Sequence, residues 1–271
     1  MNDLILPATL PYGRRATRLN TLASGHELEG YLNFCSALCR AQQVQAEVFL
    51  PEAQQSLIWQ NGAPCHDPQA VLQGRWPAVL KGLLKQMVDP VTPWQSTVMR
   101  LQQMSAAQVQ TCAQQILTLQ WHELDRGAAP FVAAALQVDF LLRAQASTAP
   151  ALTNHTQAHC PVCGFLPVGA ILHDQRRYLH CALCESEWHH IRAQCVECNS
   201  GRDMGLWSLQ EGARMVAETC GDCHGWLKQL DQDAQHDLMA DDLATLELDA
   251  ALSEQGFERI SPNLLLFPGA F

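Results

Sequence analysis

The sequence predicts an α+β protein: an all-α N-terminal domain, then two ribbon-like β modules in tandem, then a C-terminal helix. Three observations predict it. Apolar residues recur at three- and four-residue spacings up to about Pro150. After that point four Cys-x-x-Cys pairs alternate with short β-like pieces, and beyond Leu230 the chain turns acidic and helical. The 271 residues therefore divide into 1–150, 151–230 and 231–271, with the two modules at about 158–188 and 190–228.

In the first segment, Tyr31, Leu32, Cys35, Leu38 and Cys39 fall on one face of a helix predicted over Gly30–Leu50, and Pro51 is expected to end it. Asn61-Gly62-Ala63-Pro64 carries turn chemistry. A second helical run covers roughly Pro68 to Val88, interrupted at Trp76-Pro77 because proline removes a helical donor. Ser105 suits the N-cap of a helix reaching Leu119, and Pro130 suits the first turn of one reaching Ala146. Residues 151–159 are polar and unpatterned, as a linker is. The β-like pieces are Val168–Leu172, Arg177–His180, Gly205–Leu209 and Ala213–Ala217, hairpins too short to bury a core alone. The acidic end predicts one helix from Asp241 to Gln255, with Asp241 and Asp242 at its positive end and Gly256 just past it.

Composition narrows the function. Hydrophobic residues make up 48% of the chain, enough for a core without disulfides. A formal net charge of −10 argues against a non-specific nucleic-acid binder, which needs an excess of Lys and Arg to neutralise phosphates. No stretch approaches the ~20 apolar residues of a membrane helix, and the N-terminus has neither the basic start nor the apolar run of a secretory signal. The expected location is the cytosol, where thiols stay reduced, so twelve cysteines point to metal ligation rather than disulfides.

The four pairs are Cys160-Cys163, Cys181-Cys184, Cys195-Cys198 and Cys220-Cys223. Two intervening residues let a tight turn aim both sulfurs at one point, half of a tetrahedral site. Seventeen residues separate Cys163 from Cys181 and twenty-one separate Cys198 from Cys220, each the length of a small hairpin. These spacers favour first pair with second and third with fourth; the interleaved alternative makes the chain cross over itself. A redox dithiol is the rival reading for any single pair, but none opens a helix after a strand. Four thiolates suit zinc or mononuclear iron, and the sites look closed. The first pair, Cys-Pro-x-Cys-Gly, has the rubredoxin form, with Gly164 free to take φ > 0. Glu185, Asn199 and His224 stand at that position in the other three; Asn tolerates the geometry, whereas Glu does not favour it.

The remaining cysteines, Cys35, Cys39, Cys65 and Cys112, read as buried small hydrophobes. His155, His159, His173, His180, His189, His190 and His224 crowd the cysteine-bearing half, but every pair already supplies two thiolates. His180 and the Trp188-His189-His190 run suit support of the ligands or a partner surface instead.

The stretch from Arg177 to His189 (RYLHCALCESEWH), Cys220-Gly221-Asp222-Cys223 with Leu227-Lys228, and Ala240–Ala244 closely resemble the FdhE family, the formate dehydrogenase accessory proteins. Arg14–Leu19, Gly25-His26 and Tyr31-Leu32 resemble that family's opening helices. The lead-in before Arg14 is shorter than usual in the family, Ser186 stands where Thr is usual, and Ser261–Leu264 transposes an Asn-Pro. The resemblance implies two rubredoxin-like iron centres, with zinc the alternative metal. It also implies contact with the catalytic subunit of formate dehydrogenase before export, and it leaves room for a homo-oligomer. The chain has no P-loop, dinucleotide fingerprint or nucleophile elbow, so no catalytic residue is assigned and the chain is not read as an enzyme. The competing reading is an iron–thiolate redox protein.

Overall fold

The computed structural model describes residues 3–56, 74–147, 158–231 and 235–266. The turn at 61–64, Cys65, residues 68–73 of the second helical run, His155 and most of the 151–159 linker lie outside them.

The first half is helical. Strand β1 (Leu4–Ile5) leads into α1 (Tyr12–Ala23), α2 (Glu29–Ser56), α3 (Trp76–Gln86), α4 (Gln95–Gln103), α5 (Ala106–Leu117) and α6 (Ala129–Ala146). Helix α6 is the axis: every residue from Ala129 to Ala144 is buried, because α2, α3 and α5 surround it. A helix with no exposed face belongs inside a core, and its buried Asp139 and Arg143 pair with each other at 2.9 Å.

Two expectations need correction here, and one helix is new. Helix α2 continues through Pro51 to Ser56. The preceding turns, fixed by buried Cys35, Leu38, Cys39 and Ala46, hold the helix, and Pro51 itself is exposed, so its ring crowds solvent rather than core. Of the second helical run the described residues hold Trp76–Gln86, which begins at the Trp76-Pro77 step; proline occupies the first turn of α3 and helps start it. Helix α4 has no counterpart among the expectations, since only Val98 and Leu101 mark its buried face. Ser105 does cap α5, in a reciprocal capping box with Gln108, but the helix stops at Leu117 and Leu119 takes φ +60°.

The second half is one sheet. Strands β2 (Pro167–His173), β3 (Arg176–Cys181) and β4 (Glu187–His189) form an antiparallel meander, and β5 (Met204–Trp207), β6 (Met215–Cys220) and β7 (Gly225–Leu230) form a second. They join through a parallel pairing of β2 with β7, Ala170 opposite Gln229 and Ile171 opposite Leu230. Strand β1 adds to the outer edge of β4, and β8 (Glu258–Arg259) lies beside β7, giving the order β1-β4-β3-β2-β7-β6-β5. Gly169 makes the junction possible: a Cβ there would stand 2.8 Å from the Lys228 carbonyl oxygen. The hairpins thus borrow their core from one another and from the helices, in a continuous apolar cluster that includes Leu136, Phe140, Leu179, Leu183, Leu230 and Leu243.

The acidic end holds two short helices, α7 (Leu238–Leu243) and α8 (Leu246–Glu254), rather than the single helix expected over 241–255. Lys228 explains the break. Its buried ammonium donates to the carbonyls of Asp242 and Thr245 at 2.9 and 3.0 Å, taking acceptors that a continuing helix would use. Asp237, not Asp241, supplies the N-cap by accepting from the Ala240 amide at 3.1 Å.

Buried ion pairs tie the pieces together. Arg177 on β3 binds Glu218 on β6, linking the two meanders. Lys228 lies 2.9 Å from Asp242, which also accepts from Arg259 at 2.6 Å. Burial opposes the charge on Asp242, but Arg259 and Lys228 outweigh it and hold the carboxyl well below its ordinary range.

Candidate metal centres

Each meander brings two cysteine pairs together. Cys160, Cys163, Cys181 and Cys184 form one cluster, centre 1; Cys195, Cys198, Cys220 and Cys223 form the other, centre 2. The structure therefore puts the first pair opposite the second and the third opposite the fourth, the arrangement the hairpin-length spacers favour. In centre 1, Cys160 Sγ lies 3.6 Å from Cys184 Sγ and Cys163 Sγ lies 3.5 Å from Cys181 Sγ. In centre 2 the corresponding separations are 3.6 Å for Cys195–Cys223 and 3.7 Å for Cys198–Cys220. A metal bonded to four thiolates at ~2.3 Å spaces its tetrahedral sulfurs about 3.8 Å apart, so both clusters have the size of such a site.

The local backbone is that of a metal knuckle in all four cases. The residue after the second cysteine has positive φ: Gly164 85°, Glu185 63°, Asn199 60° and His224 58°. The turn lets amides point at sulfur. Phe165 donates to Cys163, Leu183 and Cys184 to Cys181, and Gly225 to Cys223, each at 3.4 Å. Such donors favour thiolate over thiol. In centre 1, burial pushes the Cys163 and Cys181 thiols up, with Cys160 and Cys184 adding to it at both, while hydrogen bonds from its neighbours outweigh burial at Cys160 and bring it well down. Four mutually opposed thiols in a dry site are a donor set that a central cation completes.

Glu185 takes the left-handed conformation although its side chain disfavours it, and its partners supply the reason. Arg15 on α1 donates to both its carboxylate oxygens at 2.9 and 2.8 Å, and His180 Nε2 lies 3.0 Å away. Arg15 Nε also donates to Asp237 at 2.8 Å, so one buried guanidinium joins the opening helix, the second knuckle and the cap of α7. The chain continues outward: His180 Nδ1 lies 3.0 Å from Glu187, and His173 Nε2 lies 2.6 Å from the other oxygen of Glu187. Burial opposes charge on all of these groups. At His180 the two carboxylates win and raise its pKa to about 10; Arg15 and His180 bring Glu185 to about 2, and His173 and His180 bring Glu187 to about 2.

Among the described residues, neither four-sulfur group includes a histidine. His190 Nδ1 lies 2.8 Å from Arg177, the His189 ring sits against Tyr178, and the His224 ring sits 5.7 Å from that of Phe257. Cys35, Cys39 and Cys112 are buried among the helices. Asp237 is the residue that sequence reasoning passed over. An Asp three residues before Ala240 is a legible cap, but nothing local announces that its other contact is Arg15.

The centres differ in cover. No cysteine of centre 1 is more than 3% exposed, and Gln137 of α6 donates to the Ala182 carbonyl at 2.9 Å, closing the second knuckle from above. In centre 2, Cys195 and Cys220 are buried, Cys198 is exposed and Cys223 is partly so.

A helical domain joined to a sheet that carries two knuckle-built four-cysteine clusters defines a class, the α+β proteins with paired tetrathiolate-type centres. Similarity to known proteins goes further. The family models described as "FdhE, N-terminal", "FdhE, central domain" and "FdhE, C-terminal domain" match residues 4–157, 159–192 and 193–266. The chain belongs to the FdhE family. It is 35% identical over 287 residues to the Protein FdhE homolog of Cronobacter sakazakii, covering 98% of this chain and 93% of that one. Identity to the homolog from Edwardsiella ictaluri is 37% over 286 residues, covering 98% and 92%. The crystal structure of the FdhE protein from Pseudomonas aeruginosa superposes with a TM-score of 0.85 at 31% identity, over 99% of this chain and all of that one.

Proposed function

We propose that this protein is a cytosolic, non-enzymatic assembly factor for respiratory formate dehydrogenase. It contacts the unfinished catalytic subunit and holds iron in both centres, through Cys160, Cys163, Cys181 and Cys184 and through Cys195, Cys198, Cys220 and Cys223. The observation that carries this reading is full-length membership of the FdhE family with both four-sulfur clusters present. No helix of the described residues is long and apolar enough to cross a membrane.

The test is deletion of the gene in its own host. Respiratory formate dehydrogenase activity should fall to background while the catalytic subunit is still synthesised; full activity in the deletion strain defeats the proposal. Metal content and visible absorption of anaerobically purified protein decide between iron and zinc.

The exposure of Cys198 favours one second reading, electron transfer through an iron–thiolate centre 2. It requires a sulfur-to-iron charge-transfer band that bleaches and returns reversibly. Colourless, zinc-loaded protein from iron-replete anaerobic cells rules it out.

A further inference from the structure

We propose that centre 2 is the exchangeable member of the pair, the site where metal enters and leaves and where thiol-reactive reagents first take hold, while the fold keeps centre 1 inert. The inference rests on the reading that both clusters hold metal.

Exchange at a four-thiolate site is associative. An incoming ligand donates an electron pair to the metal, a resident thiolate lets go and takes a proton from water, and the step repeats until the ion changes hands. The rate depends on whether one thiolate can swing out without dismantling its surroundings. Centre 1 offers no such thiolate. Cys163, Cys181 and Cys184 have no exposed surface, and the knuckle residues Val162, Ala182 and Leu183 are buried as well. Moving the second knuckle means separating Glu185 from Arg15, and Arg15 is held by Asp237 behind it.

Centre 2 is built the other way. Its third knuckle lies between β4 and β5, in a segment from Ile191 to Asp203 that contains no strand. Glu197, Cys198 and Asn199 are exposed, and so are Gly201, Arg202 and Asp203 beyond them. Val196 anchors the inner side of this knuckle in the core, and Gly221 donates to the Asp203 carbonyl at 2.8 Å. The side-chain contacts on the outer side, however, are surface ones, Gln194 to the Asn199 carbonyl at 2.9 Å and Arg202 to Asp222 at 3.2 Å with Arg202 84% exposed. Cys195 and Cys220 face inward and stay buried. Two inner thiolates thus keep their grip while Cys198, then Cys223, gives way to an incoming ligand. The ligand this face accepts is a small chelator or thiolate carrying a divalent transition-metal ion.

The experiment uses the full chain, purified anaerobically and loaded with two equivalents of zinc. Excess chelator with a chromogenic zinc indicator follows release, and pulses of N-ethylmaleimide followed by peptide mass spectrometry show which thiols are freed. The expected result is two phases of one equivalent each, at least tenfold apart in rate, with Cys198 and Cys223 alkylated in the first. Cys198→Ser should remove or accelerate the fast phase alone. Arg15→Ala should accelerate the slow phase alone. Release of both equivalents in one phase, or earlier alkylation of Cys160, Cys163, Cys181 or Cys184, overturns the proposal. A chain that binds no metal in either centre instead fails the reading of the clusters as metal sites, and the exchange proposal with it.

Discussion

Centres 1 and 2 are built from the same parts. Each has two Cys-x-x-Cys knuckles, four sulfurs at tetrahedral spacing, and a positive-φ residue after every second cysteine. What differs lies outside the ligands. Centre 1 is pressed between the sheet and helices α1 and α6, and its second knuckle carries a glutamate clamped by a buried arginine. Centre 2 hangs from the far end of the sheet, with one knuckle in an exposed loop. Ligand type sets which metals a site accepts, whereas the surrounding fold sets how readily the site opens. Two sites with one chemistry can therefore differ in kinetics and in their weight in the fold.

The largest break in that symmetry should come from removing ligands. Metal coupled to folding is worth on the order of 10 kcal/mol. Replacing Cys181 and Cys184 with Ser should abolish binding at centre 1 and disorganise the whole molecule, helices included, because the second knuckle is part of the continuous core. Replacing Cys195 and Cys198 should cost one equivalent of metal and leave the helical circular dichroism intact. Metal-to-protein ratio and far-ultraviolet dichroism read both outcomes, and equal loss of structure from the two variants would show the centres to be equivalent after all.

A smaller effect tests the clamp. Arg15→Ala leaves Glu185 and Asp237 buried without their shared cation, and breaking a buried pair this way costs about 3–5 kcal/mol. Urea denaturation should show that loss as a lower midpoint. Arg202→Ala, at the surface of centre 2, should leave the urea midpoint unchanged.

The smallest and most diagnostic pair concerns the turn residues. A non-glycine residue in the left-handed region costs roughly 1–2 kcal/mol, less for Asn. Asn199→Gly should be neutral or slightly stabilising. Glu185→Gly relieves the same strain but discards the ion pair with Arg15, so it should destabilise. Opposite signs in thermal melts of the two variants would establish that Glu185 is kept for its partners; a gain in both would show the clamp to be idle.

The eight cysteines were legible in the sequence because their meaning is local: two-residue spacing makes a knuckle and hairpin-length spacers choose its partner. The buried cysteines of α2, the N-cap at Ser105 and parts of four strands were legible for the same reason. Glu185 was not. Its conformation is unfavourable by every local rule, and its compensation comes from Arg15, at the other end of the chain. The break between α7 and α8 is similar, since Lys228 sits on a strand and nothing near Ala244 or Thr245 announces it. Pro51 shows the converse, a local stop signal overruled by the packing of the turns before it. The union of two hairpins into one sheet hangs on Gly169, whose significance appears only when Lys228 is placed beside it.

The pairing of β1 with β4 sets a timetable for synthesis. Leu4 and Ile5 are made long before their partners Trp188 and Glu187, which follow only after the entire helical half. At about 5–20 residues per second that wait is roughly 10–40 s. Arg15 waits equally long for Glu185, and longer still for Asp237. During that interval Arg15 lacks the two carboxylates that compensate it in the finished fold, although α1 can already pack on α2, where Ser36 donates to the Ala16 carbonyl at 2.8 Å. The pairing of Arg15 and the closing of the first cysteine cluster therefore both wait for the second knuckle. A chain cut short before Cys184 has neither.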